Sequence, residues 1–120
     1  MYEGYKGLNV YQQSYSLVIE VYKMTRGFPE EERFVLVTQM RRASTSIPLN
    51  IAEGYGKKES LSEYKRFLMI AKGSCNEMQV IIDLCRDLGY ISDSKHEEMV
   101  QAYTQVSKML QGLLSKMNQA

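Results

Sequence analysis

An all-α fold, an up-down antiparallel four-helix bundle, is what this sequence predicts, and three observations carry that expectation. Apolar residues recur at alternating spacings of three and four through four long stretches of the chain. Glycine and proline punctuate the gaps between those stretches, at Gly27, Pro29, Gly54, Gly56 and Gly89. No segment alternates polar and apolar residues over a useful length, so strands find no support.

The first helix is predicted over residues 8–26, with Leu8, Tyr11, Tyr15, Val18 and Tyr22 along one side. Gly27 is placed to end it. Phe28-Pro29 then opens the second helix, with proline where a missing N–H is harmless and Glu30, Glu31 and Glu32 complementing the positive end of the dipole. The apolar stripe of this helix is Leu36, Met40, Ala43 and Ile47, and Thr38, Arg41, Arg42 and Thr45 fall largely on the other side. Pro48 removes a backbone donor and crowds the carbonyl of Ser44, which predicts a kink, after which the helix resumes until Gly54 and Gly56 stop it.

Ser60-Leu61-Ser62-Glu63 has the spacing of a capping box and opens the third helix. Its main seam is Tyr64, Leu68, Ala71, Cys75, Met78, Ile82 and Cys85, and a second seam of Phe67, Ile70, Ile81, Leu84 and Leu88 lies beside it. An apolar arc of that width belongs to a helix central to the bundle or buried in part against another subunit. Gly89-Tyr90 ends the helix, Ser92 or Ser94 caps the fourth, and Met99, Tyr103, Val106, Leu110, Leu113 and Met117 form its seam.

A chain of 120 residues predicts a single domain, 1–120, long enough to bury a core. The formal charge of +1 argues against a generally basic coating protein. The charge is nonetheless uneven: residues 41–76 hold seven Lys or Arg against three acids, and residues 77–98 hold six acids against two bases. Such polarity suits a local anion site or head-to-tail pairing between subunits. Cys75 and Cys85 lie about three turns apart on one helix, too far for a disulfide, and suggest reduced thiols. The stretch Met1-Tyr2-Glu3-Gly4-Tyr5-Lys6 lacks the basic and then apolar regions of a signal peptide, and no apolar run approaches the ~18 residues that cross a bilayer, so a cytoplasmic protein with no membrane association is expected.

Catalytic and metal-binding sets find little support. Di-metal bundles use Glu-x-x-His pairs, and this chain has a single histidine, His96, and no such pair. Both cysteines fall on the apolar seam, where a thiol is shielded. Gly54-Tyr55-Gly56 lacks the third glycine and the preceding strand of a dinucleotide fingerprint. No enzyme, metal or cofactor is therefore expected. The basic residues remain. Arg41 and Arg42 of the second helix, Lys57 and Lys58 of the following turn, and Lys65 and Lys72 of the third helix can share one surface that contacts phosphates. Solvated helix faces carry as many bases without a ligand. Tyr55 and Tyr64 can stack on bases, or serve the core; Tyr11, Tyr15 and Tyr22 can be half-buried core or line a subunit interface.

Several runs carry a resemblance: Tyr22-Lys23 with Phe28-Pro29-x-Glu31-Glu32-Arg33, Gln39-Met40-Arg41-Arg42-Ala43, Ser46-Ile47-Pro48-x-Asn50-Ile51-Ala52-Glu53-Gly54, and Phe67-Leu68-x-Ile70-Ala71-Lys72-Gly73-Ser74-x-x-Glu77. In these the chain resembles the four-helix-bundle proteins encoded in intervening sequences of bacterial 23S ribosomal RNA genes. That family is similar to the accessory variability determinant proteins of diversity-generating retroelements, which form pentameric barrels with a basic surface for nucleic acid and a reverse transcriptase. The resemblance implies a homo-oligomeric, pentameric ring, makes Arg41, Arg42, Lys65 and Lys72 candidates for the basic surface, and assigns no enzymatic residue. The function expected is binding of RNA or other nucleic acid, the alternative being a scaffold for a protein partner.

Overall fold

The computed structural model describes residues 3–118 and contains four α-helices: α1 (Asn9–Thr25), α2 (Leu36–Gly56), α3 (Leu61–Asp87) and α4 (Asp93–Asn118). Short links force consecutive helices to run antiparallel, and side-chain pairs mark the register. Asp83, Gln79 and Lys72 of α3 meet His96, Thr104 and Gln111 of α4 in that inverse order. Arg42 and Ser46 of α2 meet Glu77 and Ser74 of α3, and Glu20 of α1 meets Lys95 at the start of α4. Each helix thus packs on its sequence neighbour, and α4 closes back on α1.

The core follows the predicted seams on α2 and α3. Leu36, Met40, Ala43 and Ile47 are buried, as are all seven residues of the main α3 seam. On α4 the stripe runs Met99, Tyr103, Val106, Leu110 and then Leu114, with Leu113 half-buried beside it. The second α3 seam divides: Ile81 is buried and Phe67 half-buried, whereas Ile70, Leu84 and Leu88 face outward.

Helix α1 is turned relative to the sequence expectation. Its buried positions are Val10, Ser14, Val21 and Thr25, and the tyrosine stripe lies on the flank, with Tyr15 54% and Tyr22 38% exposed. Two polar residues can face the core because each hydroxyl is satisfied within its own helix: Ser14 donates to the Tyr11 carbonyl at 3.0 Å and Thr25 to that of Val21 at 2.8 Å.

The start of α2 also differs. Phe28-Pro29 does not open it; Glu30–Glu32 form a separate 3-10 turn, and the α-helix begins only at Leu36, after Val35 leaves helical backbone at φ −117°, ψ −88°. Glu32 is drawn away by a tertiary contact: Tyr90 Oη donates to its carboxylate at 2.7 Å, and Phe28 packs on the Tyr90 ring at 5.2 Å. The helix continues through the buried Pro48. Of the two glycines expected to stop it, Gly56 is its last residue and Gly54 lies within it. A Cβ at Gly54 would lie 2.9 Å from Phe67 Cβ and 3.4 Å from the Tyr64 carbonyl oxygen, so glycine here lets α2 and α3 approach. Ser60 caps α3 by accepting from Glu63 N–H at 3.4 Å, but the Glu63 carboxylate turns to Arg66, leaving the capping box half formed. Ser92 caps α4, accepting from Lys95 N–H at 3.0 Å. Gly89, at φ +81°, reverses the chain after α3.

Candidate nucleic-acid interface

Adjacent residues on a helix point about 100° apart, so the neighbours Arg41 and Arg42 meet different partners. Arg41 is half-buried against α1. Its Nε donates to Thr25 Oγ1 at 3.0 Å, and its guanidinium lies 4.4 Å from the centre of the Tyr22 ring. Arg42 projects outward with 72% of its side chain exposed, and Glu77 of α3 is 3.8 Å away, at the edge of ion-pair range. Both line one open groove of about 610 Å³ over α2, with Tyr22, Thr38, Leu49 and Asn50 among its walls. The polar groups there are mostly tied within the protein: Thr45 Oγ1 donates to the Arg41 carbonyl at 2.7 Å, and Asn50 Nδ2 to that of Ser46 at 2.8 Å.

The other four cations lie elsewhere. Lys65 and Lys72 line a groove of about 390 Å³ on the α4 side of α3, where Lys72 Nζ donates to Gln111 Oε1 at 2.6 Å. Lys57 and Lys58 occupy the α2–α3 turn; Lys57 sits 5.3 Å from the Phe67 ring centre, and Lys58 lies 4.1 Å from that of Tyr55 while donating to the Tyr55 hydroxyl at 2.9 Å. The six residues therefore fall into three groups rather than one shared pocket. Tyr64 is buried and meets the half-buried Tyr55 edge to face at 6.3 Å, which makes this pair packing. Burial raises the Tyr64 hydroxyl above its ordinary 10.0.

At the N-terminal end of the α1–α2 face, Tyr5 and Lys6, which the sequence does not single out, join Tyr11 and Tyr15, whose spacing leaves core and interface open. The 3-10 turn Gly4–Gly7, held by Gln12 Nε2 donating to the Lys6 carbonyl at 2.7 Å, sets Tyr5 4.9 Å from Tyr11, which is itself 5.9 Å from Tyr15. These three tyrosines wall two linked hollows of about 710 and 280 Å³. The smaller shares Thr45 and Leu49 with the arginine groove, so the three hollows adjoin along the α1–α2 face from Lys6 to Arg42, a stretch called the channel below. Spacing alone offered no signal for it, because a tyrosine stripe has the same period whether covered or bare.

The remaining reactive groups are occupied structurally. Burial pushes the Cys75 thiol up to about 12 and Cys85 to about 11. His96 meets Asp83 through Nε2 at 2.7 Å and Arg86 through Nδ1 at 3.4 Å. Among the described residues no group of three or more His, Cys, Asp or Glu side chains is placed to hold a metal ion, and no helix is long and apolar enough to cross a membrane.

Residues 6–112 match the family model for the 23S rRNA-intervening sequence protein. No curated protein matches the chain. A solved structure that resembles it is a protein of unknown function from the S23 ribosomal protein family of Bacteroides thetaiotaomicron, with a TM-score of 0.80 and 24% identity, covering 88% of this chain and 95% of that one. This likeness bears on the fold.

Proposed function

The chain belongs to the 23S rRNA-intervening sequence protein family, and from that premise we propose that it is a non-enzymatic, oligomeric protein that binds RNA or another nucleic acid through phosphate contacts. One observation carries this. Among the described residues, neither the groove holding Arg41 and Arg42 nor the groove holding Lys65 and Lys72 has a carboxylate in its lining, Glu77 standing 3.8 Å from Arg42 at the edge of the first, in a chain whose net charge is only +1. A polyanion entering either meets positive charge with no acid in the wall to repel it. Lys57 and Lys58 extend the basic surface at the α2–α3 end.

Self-association is part of the same proposal, with a pentameric ring like that of the accessory variability determinant proteins favoured. Ile70, Val80, Leu84 and Leu88 of α3 face away from the core, 41%, 62%, 45% and 54% exposed. Val80, Leu84 and Leu88, at successive turns, make an exposed apolar run of the kind that marks protein contact, with Ile70 standing apart from it. A ring repeats each basic groove and multiplies weak sites by avidity. The same run favours the second role, a scaffold that seats a protein partner.

Anisotropy titrations with structured RNA, single-stranded DNA and duplex DNA test the proposal, with light scattering on the same samples. Binding is expected to weaken steeply from low to physiological salt, and Arg41→Glu with Arg42→Glu to reduce it at unchanged helicity and oligomer size. If no nucleic acid binds at low salt, the scaffold role takes its place.

A further inference from the structure

The channel between α1 and α2 combines features that a phosphate-binding surface alone does not need. Tyr15 and Tyr22 stay 54% and 38% exposed on a helix that buries Val10, Ser14, Val21 and Thr25 instead. Such rings are left bare at a cost unless something flat and apolar covers them. Cations stand at both ends, Lys6 beside Tyr5 and the two arginines beside Tyr22. Among the described residues no carboxylate lines the three hollows, and the acid beside them is Glu77, 3.8 Å from Arg42 at the far edge. By contrast, the neighbouring hollow between α1 and α4 is lined by Glu20 and Glu98. Aromatic faces spaced between fixed positive charges, without negative charge, match a ligand that carries flat rings on a polyanionic backbone.

We propose that this channel seats a single-stranded segment of nucleic acid, its bases stacking on Tyr15 and the Tyr11 and Tyr22 rings nearby while Lys6, Arg41 and Arg42 hold its phosphates. The proposal rests on the nucleic-acid role above and adds the strandedness and the place. A duplex hides the faces of its bases within its own stack, whereas an unpaired strand presents them to aromatic side chains with little regard to sequence. From Tyr11 to Tyr22 the helix rises about 16 Å, room for a short run of nucleotides. The Tyr22 ring is already sandwiched on one side by the Arg41 guanidinium, which fixes its plane.

The test uses fluorescein-labelled oligo-U and oligo-dT of roughly ten nucleotides, within the range of single-strand sites, and a hairpin duplex of similar charge. Proteins compared are the wild type, Tyr15→Ala, Tyr15→Phe and Lys65→Glu with Lys72→Glu, each checked for helicity. The single strands are expected to bind more tightly than the hairpin. Tyr15→Ala is expected to weaken them roughly five- to a hundredfold with the salt slope unchanged, and Tyr15→Phe, which keeps the ring face, to restore them. If Tyr15→Ala binds single strands like the wild type while the lysine reversals abolish binding, the seat lies on the α3–α4 side and this proposal is overturned, though the nucleic-acid role survives. Preference for the hairpin overturns it equally. If the wild type binds none of the probes at low salt, the nucleic-acid role itself fails.

Discussion

Replacing Gly54 with alanine sets two effects of opposite sign against each other at one buried position. Alanine in a helix interior is favoured over glycine by about 0.8–1.0 kcal/mol, from backbone entropy that the unfolded chain no longer has to lose. Against that, the new Cβ arrives 2.9 Å from Phe67 Cβ and 3.2 Å from Tyr64 Cδ1. Phe67 Cβ is the root of its side chain, so no rotamer change relieves the clash, and α3 has to move relative to α2. Overpacking of this kind costs typically ~1–3 kcal/mol. The net expectation is a loss of roughly 1 kcal/mol, the difference between those ranges. Gly73 supplies the control: it is an exposed helical glycine with nothing within 4 Å of its would-be Cβ, so Gly73→Ala keeps only the favourable effect and gains up to about 1 kcal/mol. Urea titrations followed by circular dichroism read both, as midpoint shifts of opposite direction at a common m-value. If Gly54→Ala stabilises as much as Gly73→Ala, the close approach of α2 and α3 is wrong.

Two further predictions concern buried and paired polar groups. The Tyr103 hydroxyl is fully buried without a hydrogen-bond partner among the described residues, so Tyr103→Phe is expected to raise stability by about 1 kcal/mol in the same titration, and a loss would mean the hydroxyl has a partner. Glu20 is held below its ordinary 4.5 by the hydrogen bond and charge of Lys95, so its contribution to stability is present above that pH and fades as pH falls through its lower folded value. With the carboxylate 38% exposed, Glu20→Gln should cost no more than about 0.5 kcal/mol at pH 7, and the gap from the wild type should close in acid.

The sequence was most legible where burial is one-sided and the covered residues are all apolar. The α2 stripe and the main α3 seam read correctly because apolar residues fill them, the buried Ser44 and Ser74 lying beside the stripes rather than replacing a member. Helix α1 misled because its core face includes Ser14 and Thr25, which satisfy themselves on their own backbone, while Tyr15 and Tyr22 stay outside and only Tyr11 of the tyrosine stripe packs on the core. The acidic run after Pro29 has the composition of a helix start, but Tyr90, 58 residues away in sequence, takes up Glu32, and no local rule announces that. Gly54 looked like a stop because a glycine needed for helix contact and one needed for a turn are the same letter. For the candidate site, the sequence supplied which cations to consider and left their grouping open. Grouping depends on which helix each faces: Arg41 turns to α1, Arg42 borders both the groove beside Tyr22 and Glu77 of α3, and Lys72 turns to α4.

The two cysteines turn the interior into a record of the molecule's history. Neither thiol meets solvent in the folded chain, both resist deprotonation, and ten residues of helix, about 15 Å, separate them. A folded subunit therefore has no route to an internal bridge, and none to a bond with its neighbours across a surface contact. An alkylating reagent at neutral pH marks only molecules that have opened far enough to bring the bundle's centre into water, and the rate of marking follows that opening. A disulfide-linked species in a preparation is accordingly a scar of past unfolding, and a mobile-phase reductant would erase the link without altering any assembly built by native contacts.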